Sequence, residues 1–390
     1  MKILIICSTI DLQYKLGCTP AWWQLLKALH ETGNEVIAVP FLGDPVESLW
    51  WRTYPNPCSR ESKLYNDLIE LNKKYHLTSK KSGRKARGFS ALAEKYIRRK
   101  WLNHFVSVFS KEKDIDAILF MNVPLNFIKG IPEKIHAMYG IPIAYFDGDM
   151  PTILPKYATD RGFKFDYYVG ADLSVFDIFF TNSKGVIPDL KEMGARNIHP
   201  LYYAADPELF KPVDMNKDID VSFFGYGDEY REEWMTNMVT KPSRSLNSVG
   251  FSVAGGGFSM DLGEAQYRGD LSFSEYRNFC CRSKICLNIT RWSHTSVYAS
   301  STARPFELAA FGACIVSQPY NGIEEWFDVG REIVLIENSD NIIDIYNGLL
   351  ADSEEREKIG ERARERILKE HTYYHRAHLM VQSLKGLHNI

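Results

Sequence analysis

Two doubly wound α/β domains facing one cleft are predicted by this sequence, on three observations. Short continuous apolar runs of strand length recur along the chain between helix-like segments, the pattern of a parallel sheet covered on both faces. The alternation pauses at a Pro-bearing segment near 207–212 and then begins again. The 390 residues also suffice for two separate cores.

The first alternation opens with strands at 3–8 and 35–40 around an amphipathic helix, PAWWQLLKALHETG, which Gly33 terminates. A polar and basic insertion follows at about 44–112. Strands resume at 115–121, 141–146, 165–171 and 175–181. Beyond the segment YYAADPELFKPVD (202–214), strands are expected at IDVSFFG (219–225), GFSVAGG (250–256), KICLNIT (284–290), ACIVS (313–317) and EIVLI (332–336). Helices are expected between them at 228–240, 274–282, 304–311, 322–328 and 340–350. The division is a first domain over 1–205, a second over 206–370, and a closing segment at 371–390. Sheets of this kind bind ligands beyond the carboxyl ends of their strands, so the cleft between the domains is the expected site.

Composition narrows the class. The chain is 45% hydrophobic and 25% charged, with a net charge of −2, ordinary for a soluble globular protein and unlike a nucleic-acid binder. Its 7 cysteines are scattered and include no CxxC, so neither a disulfide framework nor a zinc ribbon is indicated. The opening MKILIICSTI reads as a buried strand and not a signal peptide, and no apolar run approaches the roughly 20 residues that cross a bilayer. A cytoplasmic setting is expected. One local asymmetry stands out between residues 73 and 100, where Lys73, Lys74, Lys80, Lys81, Arg84, Lys85, Arg87, Lys95, Arg98, Arg99 and Lys100 face Glu94 alone. Such a run is either a solvated helix-loop-helix excursion or a patch for an anionic membrane surface or an anionic acceptor polymer.

The turn STARPFELAAFG (301–312) carries the most pointed chemistry. Pro305 suits the first helical position, which places Glu307 in the first turn and Gly312 at the end. A carboxylate there complements the helix dipole and caps free amides. Arg304 at the same end favours an anion already attracted by the helix N-terminus. Together they are the pair that a nucleoside diphosphate sugar requires, Glu307 for the ribose diol and Arg304 for the diphosphate. In FFGYGDEYR (223–231), Gly225, Tyr226 and Gly227 end a strand without the third glycine of a dinucleotide loop, and Asp228 and Glu229 disfavour phosphate. The glycines allow close backbone approach, and Arg231 is the better phosphate contact. Asp147 and Asp149 form a DxD whose carboxyl-end position suits binding or deprotonating an acceptor hydroxyl, with Asp149 the preferred catalytic residue. Capping of the next segment and a metal-bridging pair are the alternatives. His371, His375 and His378 share a helix face at possible metal spacing. Trp22 and Trp23 read as core, whereas Trp50 and Trp51, in a less regular segment, are candidates to stack on an acceptor sugar.

These stretches resemble a known family. DIDVSFFGYGDEYRE, KICLNIT, ARPFELAAFGACIVSQPYNGIEEWFDVGREIVLI, the tail HTYYHRAHLMVQSL and the linker AADPELFKP are similar to family 4 glycosyltransferases, most of all the CgeB-like spore-maturation branch. FDYYVGADLSVFDIFFTNSKGVIPDLKEMGARNIHPLYY, in the first half, is similar to the stretch leading into that family's linker. The resemblance implies a GT-B fold of two Rossmann-like domains, with the last helix crossing back onto the first. It also implies a UDP-, GDP- or TDP-sugar as donor, a glycan, lipid or protein hydroxyl as acceptor, no metal and no other cofactor, and retention of anomeric configuration. Glu307 matches the second glutamate of the family's Glu-x7-Glu pattern, but Ala299 stands where the first belongs. His294, Tyr298 and Thr302 are candidate replacements, Gly322 and Glu324 are placed on the donor side, and Gly17 falls where such enzymes keep a glycine loop facing the cleft. A nucleotide-sugar epimerase or a non-catalytic glycan-binding scaffold would use the same fold. Peripheral contact with the inner membrane surface through residues 73–100 completes the expectations.

Overall fold

The computed structural model describes residues 1–10, 21–61, 83–157, 167–168, 170–227 and 230–387, with side chains in the long first-domain helix from residue 94 onward. Gly17 and residues 73–82 of the basic run lie outside the described residues.

Thirteen described strands form two sheets, parallel throughout. The first comprises β1 (Lys2–Cys7), β2 (Glu35–Pro40), β3 (Arg52–Thr53), β4 (Ala117–Met121), β5 (Ile143–Asp147), β6 (Ile178–Thr181) and β7 (Ile198–Pro200), in the order β3-β2-β1-β4-β5-β6-β7. The second comprises β8 (Ile219–Phe224), β9 (Phe251–Ala254), β10 (Gln266–Tyr267), β11 (Ser283–Asn288), β12 (Ile315–Ser317) and β13 (Val334–Leu335), in the order β10-β9-β8-β11-β12-β13.

Each sheet is buried on both faces because its central strands are mostly apolar, and successive side chains point to opposite sides. In the first sheet Leu4, Ile6, Ile118 and Phe120 pack with Trp101 and Phe105 on one face. On the other, Ile3, Ile5 and Leu119 pack with Leu25 and Leu29 of the Ala21–Glu31 helix and with Ala377, Met380 and Leu384 of the last helix, Tyr373–Leu387. In the second sheet Phe224, Cys286 and Ile315 pack with Phe306, Ala363 and Ile367, while Val221, Val253 and Leu287 pack with Met238 and Tyr346.

Three expectations need correction. The 44–112 stretch is no mere excursion: it supplies β3, and a helix over Gly83–Lys111 buries Trp101, Phe105 and Val108 at one-turn spacing, so its second half is a crossover helix of the sheet. The described part of 165–171 is a turn, because Gly170 takes φ +67° and the Tyr168 hydroxyl is drawn onto Asp147 at 2.6 Å. The 322–328 helix is a single short turn, Ile323–Glu325.

Two junctions join the halves. At the first, Lys27 Nζ lies 2.7 Å from the buried Asp206 carboxylate, and Arg376 donates to the carbonyls of Tyr202 and Tyr203 at 2.9 and 3.1 Å. At the second, residues 297–301 dock on 182–185. Lys184 N and Gly185 N donate to the carbonyls of Ala299 and Tyr298, and Ser183 Oγ meets Ser300 Oγ at 2.5 Å. A side chain at Gly185 would place its Cβ 2.8 Å from Val297. No helix among the described residues is long and apolar enough to cross a membrane.

Removing one partner of a buried ion pair leaves the other charge uncompensated. Asp206→Ala should therefore cost about 3 kcal/mol, the low end for such a loss because Glu31 still faces Lys27. Chemical denaturation of the two proteins checks this.

Candidate functional site

Strand order selects the crevices. It reverses between β1 and β4 in the first sheet and between β8 and β11 in the second, and ligands bind beyond the carboxyl ends at such switch points. Residues just past β4 include Asn122. Those past β8 are 225–231, and those past β11 are 289–296. Residues past the neighbouring β5 meet those past β11: Thr152 Oγ1 and Ser293 Oγ are 3.0 Å apart across the cleft, and the Arg291 charge acts on Asp149.

On the second-domain side, Arg291, His294 and Arg231 cluster. His294 is 8% exposed, and its Nδ1 has no hydrogen-bond partner. Burial, reinforced by the charges of Arg291 and Arg231, pushes its imidazole down to about 3, so it is neutral at physiological pH. Arg231 Nε donates to the Ile289 carbonyl at 3.3 Å. The loop before it is closely packed: a Cβ on Gly255 would lie 1.8 Å from the Gly225 carbonyl oxygen, and one on Gly227 2.2 Å from the Phe258 ring. Tyr226 remains 46% exposed at the rim.

On the first-domain side, the Asn122 side chain accepts from Gly148 N at 3.0 Å and donates to Asp149 Oδ2 at 2.7 Å. Asp147 is buried beneath, taking hydrogen bonds from Tyr168 Oη at 2.6 Å and Asp149 N at 2.8 Å. Desolvation, with the Asp149 charge beside it, pushes its carboxyl up to about 7. Asp149 is open to solvent on the floor of the crevice but hemmed in by protein on its other sides. That crowding raises its carboxyl, against the pull of Asn122 and Arg291.

The ARPFE turn differs from its expected form. The helix spans Ala303–Ala310, so Pro305 is its third residue and no acid lies in its first turn. Helix capping therefore does not account for Glu307, which is 2% exposed and buried inside the domain. Its Oε2 accepts from Tyr276 Oη and from Arg304, each at 3.1 Å. Burial raises the Glu307 carboxyl, and Arg304 and Tyr276 oppose the rise. Arg304 is not aimed at an open phosphate site: its guanidinium lies 4.7 Å from the ring centres of both Phe224 and Tyr276 and is bonded to the Tyr276 hydroxyl. It clamps Glu307. Thr302 precedes the helix with extended backbone, and its hydroxyl makes no cap bond.

Other candidates fall elsewhere. Trp51 is buried with its Nε1 bonded to the Val46 carbonyl, and Trp50 packs edge-on against Trp23 at 4.9 Å. Arg52, the next residue, pairs with Ile37, the third residue of β2, and Trp23 stands in the first turn of the Ala21–Glu31 helix. Trp51 is thus committed to the core, whereas Trp50 stays half-buried beside Trp23. Gly322, at φ +84°, lets its turn close on Ala299, whose backbone N would lie 2.3 Å from an added Cβ. Glu324 is exposed, and Tyr298 is turned to Glu325 at 2.6 Å. His371 is held by Arg376 and His375 by Thr372. Among the described residues no group of three or more His, Cys, Asp or Glu could hold a metal ion.

Arg291 and Asn122 were missed in the sequence. Both follow the strand-end rule applied to Asp149, but neither lies in a recognisable motif.

Comparison with known proteins agrees with this architecture. Residues 208–382 match a family model described as glycosyl transferase-like. No curated protein matches the chain. Sucrose-phosphate synthase from Thermosynechococcus elongatus superposes with a TM-score of 0.70 at 14% identity, covering 100% of both chains. HepE of Anabaena in complex with UDP-glucose gives 0.61 at 12% identity, covering 99% of this chain and 100% of the other. A trehalose-6-phosphate protein of E. coli bound with UDP-2-fluoro glucose gives 0.63 at 9% identity, covering 99% of each. The fold is GT-B.

The raised Asp147 carboxyl makes stability depend on pH. A carboxyl raised in the folded state contributes stability below its unfolded value, near 3.8, and loses it as pH climbs through its folded value of about 7. Asp147→Asn should remove that loss. The variant's unfolding free energy in urea, relative to the parent, should rise from pH 5 to about pH 7 and level off above it, with a slope on the order of 1 kcal/mol per pH unit.

Proposed function

We propose that the protein is a glycosyltransferase that moves a sugar from a nucleoside diphosphate sugar to a hydroxyl-bearing acceptor. The observation that carries the reading is the pairing of Asp149, at the carboxyl end of the first sheet, with the Arg291, His294 and Arg231 cluster across the cleft. The glycosyl transferase-like match over 208–382 and the UDP-sugars named for the similar structures support the same donor class.

In this reading Glu307, clamped by Arg304 and Tyr276, holds the ribose diol. Neither of its described hydrogen bonds falls on Oε1, which is then the oxygen for the ribose. Arg231 and Arg291 take the diphosphate, and His294 donates or accepts one hydrogen bond beside it. The bond between the anomeric carbon and the diphosphate oxygen breaks as that carbon bonds to the acceptor oxygen. The acceptor's proton passes to Asp149 or to the leaving phosphate. The two arginines meet the charge developing on the leaving group from fixed positions. They supply the positive charge that a divalent cation gives other transferases. Configuration at the anomeric carbon is retained, as the family 4 resemblance implies. A closed cleft keeps water from the donor.

Calorimetric titration with UDP, GDP, TDP and CDP tests the donor. One nucleotide should bind, and Glu307→Ala should weaken it roughly 10- to 150-fold, the loss of a charged hydrogen-bonding partner. Arg291→Ala should weaken the diphosphate far more than the bare nucleoside. Equal losses on both ligands would remove Arg291 from the diphosphate site, and no binding by any of the four would defeat the reading.

A further inference from the structure

Asn182, just past β6, is fully buried, and every polar atom it owns crosses to one of two places. Its backbone N donates to the Asp147 carbonyl at 3.2 Å. Its side-chain Oδ1 accepts from Met150 N at 3.0 Å, and its Nδ2 donates to the Met150 carbonyl at 2.9 Å. The same Nδ2 donates to the Ser301 carbonyl, also at 2.9 Å. The Asn182 carbonyl accepts from Ser301 N at 2.9 Å and Ser301 Oγ at 3.0 Å. One end of this set is the loop bearing Asp147 and Asp149. The other is the residue two before the Ala303–Ala310 helix that presents Glu307.

We infer that Asn182 is a positioning residue, which holds the Asp147–Met150 loop in register with the donor-side helix and so sets the spacing of the two halves of the site. This rests on the glycosyltransferase reading for its purpose, though not for its geometry. A carboxamide is the side chain that can do this. It pairs with both the N–H and the C=O of Met150, as a backbone strand would, and has a second N–H left for Ser301. With both Met150 groups held, Asp149 is anchored one residue away, over Asp147. Among the described residues the groups facing Asp147 are Asp149 of the same loop, Tyr168 from a neighbouring turn and Tyr145 from β5, with Arg291 acting from across the cleft through Asp149. Without the carboxamide the loop loses both Met150 bonds and its tie to Ser301 is cut, so water reaches Asp147 and Asp149 is released from above it.

The test compares Asn182→Ala and the milder Asn182→Ser with Ser183→Ala. The last loses the neighbouring buried bond to Ser300 without touching the Asp147–Met150 loop. All three should lower the thermal midpoint, as any interface loss would. The discriminating readout is the carboxyl titration of Asp147 by carbon-13 NMR on aspartate-labelled protein, assigned with Asp147→Asn. In the Asn182 variants the Asp147 midpoint should fall by about one pH unit or more towards the ordinary carboxylate range, and in Ser183→Ala it should stay in place. UDP affinity, measured in parallel, should change less than twofold, because Arg231, Arg291, His294 and Glu307 all belong to the second domain. An unmoved Asp147 titration in a folded Asn182 variant overturns the proposal and leaves Asn182 as interface packing. So does an equal shift in Ser183→Ala. Failure of the parent protein to bind UDP counts against that donor, and the titration comparison still decides the role of Asn182.

Discussion

The seam where residues 297–301 lie against 182–185 governs what the two sheets can do together. Polar groups buried away from water must be paired, and here each half supplies the other's partners: Ser183 and Ser300, the amides of Lys184 and Gly185, the hydroxyl and amide of Ser301. Sliding one surface over the other without admitting water would leave them unpaired. Glycine at 185 is part of the same constraint, since a side chain there would strike both Val297 and the Tyr298 backbone. The seam lies beside the carboxyl ends of β5 and β6 and just before the helix bearing Glu307. It therefore fixes which strand ends of one domain look at which strand ends of the other, and Asp149 meets the Arg291 side as a consequence.

The strands were legible because parallel sheets covered on both faces write themselves as unbroken apolar runs, and those runs survive without knowledge of partners. The cleft is legible for a related reason: once two such sheets are inferred, their strand ends point to it, and that rule selects Asp149 and Arg231 as candidates. Failures came where a residue's meaning depends on a partner distant in sequence. Glu307 lies near a helix start in the sequence, but its surroundings come from Tyr276, which lies 31 positions earlier. Arg304 looked like a phosphate ligand until Phe224 and Tyr276 were placed around it. Trp50 and Trp51 are ambiguous because the ring both meet, Trp23, stands on a helix far earlier in the sequence. Asn182 carried no signal, since an asparagine after a strand reads as an ordinary turn residue.

The buried Arg304–Glu307 pair illustrates why charge is tolerated inside the second domain. A lone carboxylate there would be neutralised by desolvation, and burial does raise Glu307. The guanidinium and the Tyr276 hydroxyl counter this, and the aromatic faces of Phe224 and Tyr276 cover the guanidinium in turn. The arrangement places the cost of desolvation on a pair that is already assembled, so a ligand need not reorganise it on arrival. A carboxylate held in this way can accept hydroxyl hydrogens and would repel a phosphate.

The two sides of the cleft respond to pH differently. At the second-domain cluster the positive charge comes from Arg231 and Arg291, and arginine remains protonated in proteins. His294, held down at about 3, adds no charge in the neutral range. An anion would therefore meet the same field from those three groups across physiological pH. On the first-domain side Asp147 changes charge near 7, beneath a carboxylate that Arg291 faces from across the cleft. When Asp147 ionises, it repels the Asp149 charge and makes that carboxyl a better proton acceptor. In the proposed transfer, pH dependence near neutrality would come from the Asp147–Asp149 side, with the field of the Arg231, Arg291 and His294 cluster constant.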